Sequence, residues 1–99
     1  MPQDRDVVLN KRFRGQLMRI LVLFYPSPVS VKDLKLSLME YGINNQADTS
    51  KHLFYLEDKC YLTCSEGFVS EFNDDNLVTI TAKGIDLVEG TIGDDGLYL

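Results

Sequence analysis

Ninety-nine residues with 44% hydrophobic side chains suffice for one globular domain with a modest core. The net charge of −5 runs against a protein whose whole surface grips phosphates, which usually carries the opposite sign. No apolar run reaches the roughly 18 residues of a membrane-spanning helix and no secretion signal is visible, so no membrane partner is expected. Cys60 and Cys64 are too few for a disulfide framework, which points to a reducing cytoplasm.

Charge is unevenly placed. Residues 1–19 carry Arg5, Lys11, Arg12, Arg14 and Arg19 against Asp4 and Asp6, a sum of +3. Residues 20–56 balance, and residues 57–99 set ten carboxylates against Lys59 and Lys83, a sum of −8.

After a polar start over residues 1–6, Leu9, Phe13, Leu17, Ile20 and Phe24 recur at three- and four-residue spacing and predict a helix from about Val7 to Tyr25. Met18, Leu21 and Tyr25 widen its apolar stripe beyond one core face. That width fits a central helix buried on most sides, or a helix that also forms a dimer. Pro26 and Pro28 end it. Ser30 with Asp33 three residues on resembles a capping box. Val31, Leu34, Leu38 and Tyr41 then share one face of a second helix that stops at Gly42.

Asn45 is the next cap candidate, opening a third helix over residues 45–59, with Asp48 near its positive end. Two short capped helices across a tight turn make a helix-turn-helix arrangement. In the third helix Thr49, Leu53, Leu56 and Cys60 fall on the inward face, while Ala47, Asp48, Lys51, Tyr55 and Asp58 point outward. Residues 61–66 and 77–81 read as paired antiparallel strands. Between them, residues 67–76 offer Glu71, Asp74 and Asp75, with Phe68, Val69 and Phe72 extending the strands or covering the core. Thr81 caps a closing helix whose inward face is Ile85 and Val88 and whose stop is Gly90. Residues 91–99 are expected as an extended tail whose apolar end, Leu97 to Leu99, docks on a partner chain.

His52 has no neighbour at ligand spacing and is expected as a surface or hydrogen-bonded side chain. Cys60 and Cys64 lack the second pair that a tetrahedral metal site needs and read as small buried apolar residues. No nucleophile-base set, Gly-rich phosphate loop or paired-acid motif stands out. The expectation is therefore a protein that is not an enzyme, with no catalytic residue, no metal site and no cofactor.

Residues 55–62, Tyr-Leu-Glu-Asp-Lys-Cys-Tyr-Leu, resemble the W-L-E-x-x-G-L passage of winged-helix regulators, with Cys60 standing where those proteins carry a turn Gly. Residues 77–84 resemble their L-T-x-x-G element. Gly84-Ile-Asp-Leu-Val-Glu-Gly90 and the Arg14 to Leu23 segment are similar to small ArsR/MarR-like winged-helix proteins of Mu-like bacteriophages and prophages. The resemblance implies an α+β winged helix-turn-helix: three helices, a two-stranded antiparallel wing hairpin and a C-terminal helix. It spans a single domain, residues 1–99, with residues 9–90 as the core. It further implies a homodimeric transcription regulator that reads double-stranded DNA in the major groove with Gln46, Ser50, Lys51 and Tyr55. Arg12 and Arg14 would grip phosphates nearby. The acidic wing and tail support the other reading, a winged helix turned to a basic protein partner.

Overall fold

The computed structural model describes residues 4–43, 49–65 and 74–99. Over these residues the protein is α+β, with four helices and a small three-stranded antiparallel sheet. Helix α1 (Asp4–Phe24) crosses the whole molecule. It buries Leu17, Met18, Ile20 and Leu21, each at most 1% exposed. At roughly 1.5 Å per residue the helix is longer than the core it crosses. Leu9 and Val8 near one end, and Leu23 and Phe24 at the other, stay exposed. The wide apolar stripe thus serves the core through its centre only.

A two-residue strand, β1 (Val29–Ser30), follows the Pro26 turn. It pairs with β3 (Leu77–Ile80), whose other edge pairs with β2 (Leu62–Cys64), giving the order β1-β3-β2. Two strands were expected and three are found. The third is too short for a period-2 pattern to register. Its partners Val29↔Val78 and Ser30↔Leu77 are set by tertiary contact rather than by local sequence.

Ser30 does cap α2 (Val31–Glu40), its hydroxyl accepting the Asp33 amide at 3.1 Å. Val31, Leu34 and Leu38 are buried as their spacing implies, whereas Tyr41 is 56% exposed because the helix has already ended. Gly42 follows at φ +83°. Helix α3 (Thr49–Asp58) buries Thr49, His52, Leu53 and Leu56. The expected Asn45 cap, Ala47 and Asp48 lie outside the described residues, as do Glu71, Phe68, Val69 and Phe72.

Cys60 departs from its expected burial. It is exposed, Cys64 is half-buried, and Cys60 holds φ +68°. The backbone leaves α3 through a left-handed turn here: the Cys60 amide bonds the Glu57 carbonyl, and its own carbonyl accepts from the Thr81 hydroxyl at 2.7 Å. A left-handed residue lies off the helical phase, so projecting the α3 face onto Cys60 fails. The turn nevertheless feeds Tyr61 and Leu62 into the core beside Ile80, Leu53 and Leu56.

The same Thr81 hydroxyl accepts the Gly84 amide and caps α4 (Ala82–Val88). Leu87 is the fully inward side chain of α4, with Ile85 and Val88 half-buried beside it, a shift of phase from the expected face. Of the expected docking end of the tail, Leu97 turns inward while Tyr98 and Leu99 stay exposed. Leu97 is 4% exposed within the molecule's own core. No helix among the described residues is long and apolar enough to cross a membrane.

Candidate functional site

The outer surfaces of α1 and α3 meet along one seam, and the seam has an open part and a covered part. The open part is a groove of about 820 Å³. Leu9, Phe13, Tyr41 and Ile43 supply apolar lining, and Arg12 and Lys51 supply cations, with Asp6 the acidic side chain opposing them. Both Arg12 and Lys51 are exposed. His52 closes the inner end at 2% exposure, its ring 4.9 Å from that of Phe13. The imidazole is buried and hydrogen-bonded: Nδ1 accepts from Arg14 Nε at 3.3 Å, which leaves the ring's proton on Nε2.

The covered part begins at Arg14. Its guanidinium lies 3.8 Å from the centre of the Tyr55 ring, well inside cation–π range, and donates to the Gly96 carbonyl at 3.0 Å. Residues 94–98 lie across α1 and α3 at this point. A Cβ on Gly15 would stand 1.6 Å from the Tyr98 carbonyl oxygen, and one on Gly96 would stand 2.2 Å from the Tyr55 hydroxyl. Only glycine lets tail and helix approach so closely. The Tyr98 amide donates to the Lys11 carbonyl at 3.0 Å.

Asp94 roots the tail in charge. Its carboxylate, on a side chain only 11% exposed, accepts from the Tyr61 hydroxyl and from the Gly96 amide at 2.7 Å, and pairs with Lys59 at 3.3 Å. The Tyr61 hydrogen bond is the chief reason its pKa is lowered. The Gly96 amide and Lys59 act in the same direction, against burial. Burial first, then the carboxylate beside it, pushes the Tyr61 phenol up to about 12. The bonded Asp94 raises Lys59.

The six residues singled out from the sequence are therefore divided. Arg12 and Lys51 come together in the open groove. Ser50 is half-buried on the first turn of α3. Arg14 and Tyr55 are stacked on each other beneath the tail, so neither stands ready for a phosphate. Gln46 lies outside the described residues. Asp74, expected among the acidic residues of the wing, pairs with Lys35 of α2 at 3.2 Å. Sequence reasoning missed Gly15, Lys59, Tyr61, Asp94 and Gly96. One signal was present: a glycine in mid-helix at position 15, unfavourable by about 1 kcal/mol relative to alanine, asks for a packing reason.

Among the described residues no group of three or more His, Cys, Asp or Glu side chains is placed to hold a metal ion. No protein-family description, no curated protein and no solved structure matches the chain.

Proposed function

We propose that this chain is a winged helix-turn-helix protein that binds double-stranded DNA as a homodimer, presenting α3 to the major groove with Lys51 and Arg12 as its leading cations. The observation that carries this reading is the meeting of those two exposed side chains, from different helices, in one groove beside the first turns of α3. A phosphate or base edge entering there meets two cations against, among the described residues, the carboxylate of Asp6. The element order supports it too. Two short helices are followed directly by the β2–β3 hairpin, and β1 ties that hairpin to the start of α2. The Lys35–Asp74 pair reduces the repulsion expected from the hairpin's acidic end. Exposed Leu23 and Phe24 at the end of α1 away from the groove offer apolar surface for a second copy.

The test is binding to random and cognate duplex at low salt. Few phosphates are contacted, so log K against log salt should fall with a shallow slope, about −2 to −4 for a dimer. Lys51→Ala should weaken a cognate site by roughly 1–3 kcal/mol if Lys51 touches a base. No detectable binding at low salt removes the proposal, and sedimentation as a clean 11.3 kDa monomer removes its dimeric part. A second reading, docking of a basic protein, is supported by exposed Asp58, Asp75, Glu89 and Asp95 in the half of the chain that sums to −8. Under it, Asp74→Asn with Asp75→Asn weakens the protein complex, whereas under the DNA reading the same change strengthens duplex binding.

A further inference from the structure

We infer that residues 94–98 form an autoinhibitory strap, which occupies cations of the α1–α3 seam and must lift before duplex phosphates can use them. The inference rests on the DNA reading above and explains how a chain of net charge −5 would switch its grip on and off. Three of its ten Lys and Arg residues lie against the strap. Lys59 pairs with the Asp94 carboxylate at 3.3 Å, Arg14 donates to the Gly96 carbonyl at 3.0 Å, and the Lys11 ammonium sits 5.6 Å from the Tyr98 ring centre.

Arg14 and Lys59 also gather on one ring, that of Tyr55, at 3.8 and 5.6 Å from its centre. The strap thus gives two neighbouring cations a carboxylate oxygen and a carbonyl oxygen, acceptors of the kind a phosphodiester would bring. The covered cations adjoin the open ones, because His52 touches Arg14 on one side and lines the Arg12–Lys51 groove on the other. A DNA strand following the groove along α3 would run into the strap at Tyr55.

The strap is built to be held and also to leave. Its one apolar anchor is Leu97, while Asp95, Tyr98 and Leu99 are exposed. The chain enters it through Gly90, at φ +83°, and Gly93. Its remaining hold is polar and directional, and so can be exchanged for equivalent bonds to an incoming anion.

Gly15→Ala tests this in the full chain. The new Cβ would overlap a backbone oxygen of the strap, so the strap must move, while alanine favours the helix and net charge stays unchanged. Asp94→Ala loosens the strap from its other end. Hydrogen exchange at the Tyr98 and Gly96 amides reports the lifting, and random duplex at low salt reports the binding. The expected result is faster exchange with about ten-fold tighter binding and a salt slope steeper by about two per protomer, reflecting Arg14 and Lys59. Adding Arg14→Ala to Gly15→Ala should remove much of that gain, which a merely structural strap would not require. Faster exchange with unchanged or weaker binding, in a wild type that does bind, overturns the strap and leaves the DNA reading standing. No binding by wild type or by either variant overturns both.

Discussion

Arg12 and Arg14 are two positions apart on α1, and Lys51 and Tyr55 are one turn apart on α3, yet the two pairs have different surroundings. Arg12 and Lys51 face an open groove. Arg14 and Tyr55 are stacked together and bonded into residues 94–98. Arg12 and Arg14 are alike in type but lie about 200° apart around α1. The face that Arg14 takes is the one crossed by a segment about 80 residues further along the chain, so the contrast needs both the phase of α1 and a tertiary contact. A cation's chemistry is decided by what lies across it.

The largest expected effect destroys both regions together. Leu56 is fully buried beneath them, and Leu56→Ala should lower stability by roughly 2–5 kcal/mol in urea unfolding. A loss under 1 kcal/mol would show that α3 is not seated on the core as described. The sharper comparison comes next. Arg14→Ala removes the Tyr55 stack and hydrogen bonds to His52 and Gly96, and should destabilise by about 1–3 kcal/mol. Arg12→Ala should change stability by no more than about 0.5 kcal/mol. Equal effects would erase the distinction between the covered and open parts.

A smaller change should be stabilising. Cys60 holds a left-handed conformation that disfavours a side chain by about 1–2 kcal/mol, against the 0.5–1 or so that glycine loses in conformational freedom. Cys60→Gly should therefore raise the urea midpoint by the equivalent of about 0.5–1 kcal/mol, firming the turn that carries Lys59 and Tyr61 to the strap.

Acidity should probe the covered part alone. Folding lowers the Asp94 pKa, so its contribution is present above the unfolded value of about 3.8 and fades as pH falls through the lower folded value. The Gly96 and Tyr98 amides should then exchange faster in acid than the α2 amides do. Folding raises Tyr61, so its contribution is intact below pH 10 and is lost as pH climbs towards 12. Phenolate absorbance should show a tyrosine that titrates late, towards pH 12, and that component should be absent in Tyr61→Phe. A late component unchanged by Tyr61→Phe, or absent from the wild type, would contradict the Tyr61–Asp94 contact.

Much of the framework was legible in the sequence because it is local. The Ser30 and Thr81 caps, the Gly42 stop, and the inward phase of Leu34, Leu38, Leu53 and Leu56 all follow from neighbours within one or two helical turns. What escaped was distant. Strand β1 exists because Val29 meets Val78, and Leu97 returns to its own core because α1 carries a glycine where the tail crosses. Of the site, the outward position of Lys51 was readable from helical phase. The withdrawal of Arg14 and Tyr55 was not: Gly15 beside Arg14 signals a close approach, but nothing near it says that Asp94 and Gly96 are what approaches.

The bond from the Tyr98 amide to the Lys11 carbonyl joins opposite ends of the chain. Closing so long a loop early would restrict nearly the whole polypeptide before other contacts reward it. Helices and the β2–β3 pairing, whose partners lie closer in sequence, are the economical nucleus, and the tail should settle only after the folding barrier has been crossed. Perturbing Arg14, Gly96 or Asp94 should then leave the refolding rate nearly untouched and appear in the unfolding rate. The two ends of the chain would be the last to come together and the first to part.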